Sequence, residues 1–113
     1  MGNHLTISEI MELVFTEYKL NGYIEMWQPQ KISIQEQKIR DVAELGLIIT
    51  EVSESIEEVR KNFVSDLDLV IELADIIIRT MNFASRKNLD LEEAIINKHS
   101  INLSRTKLHG KGV

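Results

Sequence analysis

Apolar side chains recur at helical spacing along most of this chain, and capping patterns mark where the helices begin. The box Thr6–Glu9 precedes apolar residues spaced by three and four, which predicts a first helix to about Leu20. The box Ser33–Glu36 opens a second helix that can run unbroken to about Lys61. Gly46 lies in the middle of this helix, where a glycine is favourable only if another backbone approaches closely.

The third predicted helix is apolar on nearly every face, and it follows a short connection at residues 62–65. Helices joined by such a short loop are antiparallel neighbours, and a helix that is apolar all round is normally buried. We expect this helix to end near Asn88 and the pattern Asp90–Glu93 to open a fourth. Residues 1–113 are therefore predicted to form a single all-α domain, a four-helix bundle. Because four helices cannot bury every side of the third, we also expect a homodimer or a homotetramer.

The segment between the first two helices holds the only proline and the only tryptophan of the chain, and it is predicted to be a loop. Trp27 either anchors this loop by burying its large apolar area or, with Tyr23, stacks on a flat ligand. The first role is the more common one for a single tryptophan.

Composition and charge exclude several classes of function. The net charge of −5 argues against a nucleic-acid polymer as partner, because a phosphate backbone requires a basic surface. The absence of cysteine excludes a disulfide framework, a thiolate metal site and a cysteine nucleophile. We see no secretory signal and no uncharged apolar run long enough for a membrane span, so we expect a cytoplasmic protein without a membrane partner.

Two acidic pairs are the candidate chemistry. Glu51 and Glu54 lie on the second predicted helix, Glu72 and Asp75 on the third, and residues three apart share one side of a helix. The pairs come level across the helix hairpin, since each lies about ten residues from the turn. Four such carboxylates would form an oxygen-rich cage suited to Mg²⁺ or Mn²⁺ rather than Zn²⁺. We expect Glu72 and Asp75 to be buried, where a cation would compensate their charge. The alternative is a solvated acidic face.

On the fourth predicted helix, Lys98, Asn102 and Arg105 recur at spacings of four and three and therefore share one stripe. A lysine offers a point charge and an arginine a planar fork, which together could hold a polyphosphate. A solvated helix face is the alternative interpretation.

The ordered set of these residues resembles the MazG-like branch of the all-α nucleoside triphosphate pyrophosphohydrolases, over about residues 34–111. The set is Glu51-x-x-Glu54, Glu72-x-x-Asp75 and Lys98-x-x-x-Asn102-x-x-Arg105. The resemblance implies cleavage of a nucleoside triphosphate between its α- and β-phosphates, to monophosphate and pyrophosphate. It also implies that the four carboxylates hold Mg²⁺ and that the three residues of the fourth helix contact phosphates. Many relatives have an acid at the position of Thr50 and a glycine at that of Ser53, which leaves the number of metal ions open.

Two other functions remain open at this point: a non-catalytic helical interaction module, and a metal-binding protein without turnover. Two acids inside an apolar helix argue against an interaction module. The stripe on the fourth helix argues against metal storage, which needs no contact with phosphate. The motifs do not identify the base or the sugar of a nucleotide.

Overall fold

A computed structural model describes residues 4–21, 32–61 and 63–109, with side chains to residue 105. Within these ranges the chain is all-α and contains no strand, as predicted. The four helices are α1 (Ile7–Leu20), α2 (Ile34–Lys61), α3 (Asp66–Arg86) and α4 (Leu91–His109). In the described part of the chain, no helix is long and apolar enough to cross a membrane.

Local caps explain where the helices begin. At α1, Thr6 Oγ1 accepts from the Glu9 backbone N–H at 3.1 Å, and Glu9 Oε1 accepts from the Thr6 N–H at 2.8 Å. Ser33 and Glu36 form the same reciprocal pair at α2, at 3.1 and 2.9 Å. At α4, Asp90 accepts from the Glu93 N–H at 3.0 Å. Each of these caps satisfies backbone donors that the first helical turn leaves free.

The junction between α3 and α4 is a left-handed cap centred on Asn88, whose φ is 57°. The Asn88 N–H donates to Ser85 O at 3.1 Å, and the Leu89 N–H donates to Ala84 O at 2.8 Å. These two bonds form a Schellman motif, in which asparagine is one of the few residues that tolerate the left-handed conformation. The predicted end of the helix near Asn88 is thus confirmed.

The core lies where α3 packs against α1. Its buried members are Met11, Met81 and Ala84, and partly buried residues of α1 and the first residue of α4 surround them. α3 also packs along α2, and α1 also contacts α4. The helix pair α2–α3 therefore extends away from a small core at one end.

Most of the apolar surface of α2 and α3 stays exposed in a single chain. On α3 the exposed fractions of Leu67, Val70 and Ile77 are 68%, 55% and 54%. The expectation that Glu72 and Asp75 are buried is wrong for the protomer: Asp75 is exposed and Glu72 is half-buried. Among the described residues α3 packs mainly against α1 and α2, and Asp75 lines an open cavity between these helices and not the core.

The expectation for Gly46 is also wrong within the described chain. A Cβ built on Gly46 would meet no heavy atom within 4 Å, so none of the described residues approaches this backbone closely. The glycine therefore has no packing reason in the protomer.

Candidate functional site

An open cavity of about 520 Å³ lies between α1, α2 and α3. Its lining combines acids, arginines, aromatic rings and aliphatic side chains. α1 contributes Tyr18; α2 contributes Arg40, Ala43, Glu44, Leu47 and Glu51; α3 contributes Asp75, Ile78, Arg79, Asn82 and Phe83. A concave site with apolar walls and a few polar groups is the usual form of a small-molecule site.

One end of the cavity is acidic. Glu51 from α2 and Asp75 from α3 both line it, together with Arg79 one turn after Asp75. Arg79 Nε and Glu51 Oε2 form an ion pair at 2.5 Å. Glu51 Oε2 is buried and accepts no hydrogen bond. The sequence predicted the two acids of this group but not the arginine between them.

The other predicted acid of α3, Glu72, lies beside this end and is bonded to a hydroxyl. Ser55 Oγ donates toward Glu72 Oε1 at 2.7 Å and also lies 3.0 Å from the Glu51 carbonyl oxygen. This contact joins residues on either side of the α2–α3 turn. The predicted alignment of the two helices across the hairpin is therefore correct at Ser55 and Glu72.

Glu54 lies elsewhere. It lines a separate shallow depression formed by α2 alone, together with Thr50, Ser53 and Lys61. Among residues 4–21, 32–61 and 63–109, no three or more acids or histidines come together as a group that could hold a metal ion. In one protomer, Glu51 and Asp75 are thus the predicted ligands that share the cavity.

The carboxylate oxygens at the acidic end are of the kind that the predicted Mg²⁺ requires. Carboxylate oxygens are the ligands that Mg²⁺ prefers, and it commonly uses one or two protein carboxylates together with phosphates and water. The buried Glu51 Oε2, whose neighbour is the Arg79 guanidinium, and the exposed Asp75 carboxylate are oxygen ligands of this kind. Glu51 and Asp75 therefore fit Mg²⁺, whereas Glu54 does not share their cavity.

The other end of the cavity is built on a buried arginine. The side chain of Arg86 is only 5% exposed, and its Nη2 donates to Asp41 Oδ1 at 2.6 Å and to Glu44 Oε1 at 2.7 Å. Glu44 also accepts from Arg40 Nε at 3.1 Å and from the Tyr18 hydroxyl at 3.4 Å. Glu44 thereby connects α1, α2 and α3 at one point.

This network changes the acidity of its members. Burial pushes the pKa of Asp41 upward, but hydrogen bonds and charges from Lys87 and Arg86 outweigh it and hold the pKa below its ordinary value. Burial disfavours the charged form of Arg86, yet Asp41 and Glu44 raise the pKa of this guanidinium. Asp41 and Arg86 therefore each favour the charged form that the other stabilises.

The predicted phosphate stripe does not reach the cavity within the protomer. Lys98 and Arg105 are exposed and Asn102 is half-buried on α4, and none of the three lines the cavity. Trp27 and Tyr23, the predicted candidates for stacking on a base, lie outside the described residues.

Comparisons with known proteins identify no relative: no family model, no curated protein and no solved structure matches this chain.

Proposed function

We propose that this chain is a Mg²⁺-dependent nucleoside triphosphate pyrophosphohydrolase, which releases pyrophosphate and a nucleoside monophosphate. The observation that supports it most is the acidic end of the cavity, where Glu51 and Asp75 from two helices lie beside Arg79. The ordered motifs of three helices, which resemble the MazG-like enzymes, supply the reaction class.

Each group at this end has a chemical task in the proposed reaction. Glu51 and Asp75 hold Mg²⁺, which, when bound, neutralises charge on the phosphate oxygens. Arg79 pairs with Glu51 in the protomer, and if Mg²⁺ were bound by that carboxylate, the guanidinium would be available to a phosphate. Arg40 lines the other end of the same cavity, where it pairs with Glu44. The attacking water is oriented by a carboxylate of this end acting as a base.

The proposed site is completed by a second copy of the chain. The cavity of one protomer lacks Lys98, Asn102 and Arg105, while large apolar side chains of α2 and α3 remain exposed. We propose a homodimer or homotetramer in which the stripe on α4 of one copy reaches the cavity of another. Lys98 and Arg105 would then bind the pyrophosphate that leaves.

The test is pyrophosphate release from a panel of nucleoside triphosphates, with Mg²⁺ and with chelator. We expect metal-dependent release, and we expect Glu51→Gln and Asp75→Asn to lower kcat by about 10² or more while helix content is unchanged. Glu57→Gln is the matched control, because Glu57 is half exposed and pairs only with Arg60 and Lys61 of its own helix among the described residues. Full activity in either cavity variant would refute the assignment.

Glu54 and Glu72 stay predicted metal ligands, and Glu54→Gln tests the first of them in the same assay. A loss equal to that of Glu51→Gln would show that the outer side of α2 also belongs to the site, as the resemblance implies. Retained turnover would restrict the site to the cavity.

A non-catalytic interaction module is the second candidate function. The large exposed apolar area of α2 and α3 favours it, because such a surface is typical of protein interfaces. It predicts no release of pyrophosphate from any triphosphate and no effect of chelator on the assembly.

A further inference from the structure

The cavity is long, and its two ends differ in chemistry. From Asp75 to Asn82 the axis of α3 rises about 10 Å, and from Glu51 back to Glu44 the antiparallel α2 covers the same distance. The acidic pair lies at one end, and Tyr18, Asn82 and Phe83 line the other. A ribose with its first phosphates spans such a distance, so one nucleotide could occupy both ends.

Asn82 carries an unused hydrogen-bond acceptor at the aromatic end. Its Oδ1 is buried and has no hydrogen-bond partner among the described residues. A buried amide oxygen without a donor costs stability, and native proteins rarely leave one unless a ligand or water satisfies it. An amide can accept at Oδ1 and donate at Nδ2, which is the pairing that reads the edge of a nucleobase.

The two rings beside Asn82 are held in place by other contacts. The Tyr18 ring stacks on Phe15 with 6.1 Å between centroids, and its hydroxyl bonds to Glu44. The Arg86 guanidinium lies 5.5 Å from the centre of the Phe83 ring, and the Asp41 and Glu44 carboxylates fix that guanidinium. Aromatic walls that are ordered before binding suit a flat heterocycle, because little entropy is lost when it enters.

We propose that the aromatic end of the cavity binds the base of the nucleotide, and that Asn82 reads its edge by accepting a hydrogen bond from a base N–H. The inference rests on the proposed function for the identity of the ligand, since the phosphates would lie at the acidic end. The chemical class is a purine or pyrimidine whose edge presents an N–H donor beside an acceptor. Asn82 is thus a specificity residue, separate from the acids that act on the phosphates.

The test compares nucleoside triphosphates with base-free ribose 5-triphosphate as substrates. Asn82→Leu keeps the size of the side chain and removes both polar atoms. We expect it to lower kcat/KM for the nucleoside triphosphates about tenfold, mainly through KM, and to leave the base-free substrate within about twofold. Asn97→Leu is the matched control, because Asn97 is exposed on α4 outside the cavity. Circular dichroism verifies that both variants keep their helix content.

A binding measurement separates failure of this inference from failure of the proposed function. Calorimetric titration with nucleoside monophosphates and with ribose 5-phosphate needs no turnover. Tighter binding of base-bearing ligands that Asn82→Leu weakens about tenfold would support the base pocket even if no triphosphate is hydrolysed. The pocket would be overturned, and the proposed function left intact, by one result of the activity assay. That result is pyrophosphate release in which the ratio of kcat/KM for base-bearing to base-free substrate is the same in wild type and Asn82→Leu. Neither turnover nor base-dependent binding would overturn both.

Discussion

At the scale of single residues, Arg86 contributes most to holding α2 and α3 together. Its guanidinium is almost fully buried and donates to Asp41 and Glu44, and Lys87 pairs with the second oxygen of Asp41 at 2.6 Å. Charges in such a site are costly to bury unless hydrogen bonds satisfy them, which is the case here. Among the described residues, removing Arg86 would leave Asp41 and Glu44 with one cation each, Lys87 and Arg40.

We therefore expect Arg86→Met to lower the free energy of unfolding by about 2 kcal/mol, because Asp41 and Glu44 lose their buried partner and keep one described cation each. Arg60→Met is the control: Arg60 is 73% exposed in a surface pair with Glu57, and we expect a change within about 0.5 kcal/mol. Urea unfolding followed by circular dichroism, at one fixed protein concentration, measures both variants. Equal stability of the two would show that the buried network is not what joins α2 to α3.

The sequence did not show which acid of the pair Glu51 and Glu54 faces the cavity. Residues three apart on a helix share a side, yet they still diverge by about 60° around its axis. That angle is enough for Glu51 to enter the cavity while Glu54 lines a different depression. Which of the two turns inward depends on the rotation of α2 against α3. Packing between helices determines that rotation, and the local pattern does not contain it.

At the scale of helices, α2 combines a long apolar stripe with a glycine in its middle. A Cβ at Gly46 would meet nothing within 4 Å. Glycine inside a helix is unfavourable relative to alanine, because the unfolded chain loses more freedom when it is ordered.

Gly46→Ala is accordingly expected to stabilise the protein, by about 0.5 to 1 kcal/mol, through helix propensity alone. The thermal midpoint at constant concentration reports the change, and Ala43→Gly on the same helix should shift it in the opposite direction. A destabilised Gly46→Ala that also dissociates would mean that the backbone of a second copy approaches α2 at this point.

Helix ends were predictable because caps are local. The sequence predicts the first turns of α2 and α4 from two capping pairs, Ser33 with Glu36 and Asp90 with Glu93. Both pairs form the expected hydrogen bonds. The alignment of α2 with α3 was also predictable, because two helices joined by a short connection pack as antiparallel neighbours. The exposure of Asp75 was not predictable, because an apolar helix indicates that something covers it but not whether the covering surface belongs to the same chain.

At the scale of the whole molecule, one protomer exposes more surface than a compact protein of its size. Its accessible area is 9046 Å², whereas a compact monomer of 13.0 kDa has about 6,300 Å². The radius of gyration is 17.2 Å, against about 13 Å for a compact domain of this length. A stable interface needs only about 800 Å² from each partner. The large apolar side chains that α2 and α3 leave exposed can supply such a contact with a further copy.

The proposed assembly makes a prediction that a structural role alone would not. If α4 of one copy serves the cavity of another, Glu51→Gln and the double variant Lys98→Ala/Arg105→Ala are each inactive for a different reason. Co-refolding equal amounts of the two should restore about a quarter of wild-type turnover, because half of the dimers are mixed and one of their two sites is intact. Sedimentation first establishes that each variant has at least twice the mass of the 13.0 kDa chain. No recovery in mixed oligomers would mean that each cavity depends on its own α4.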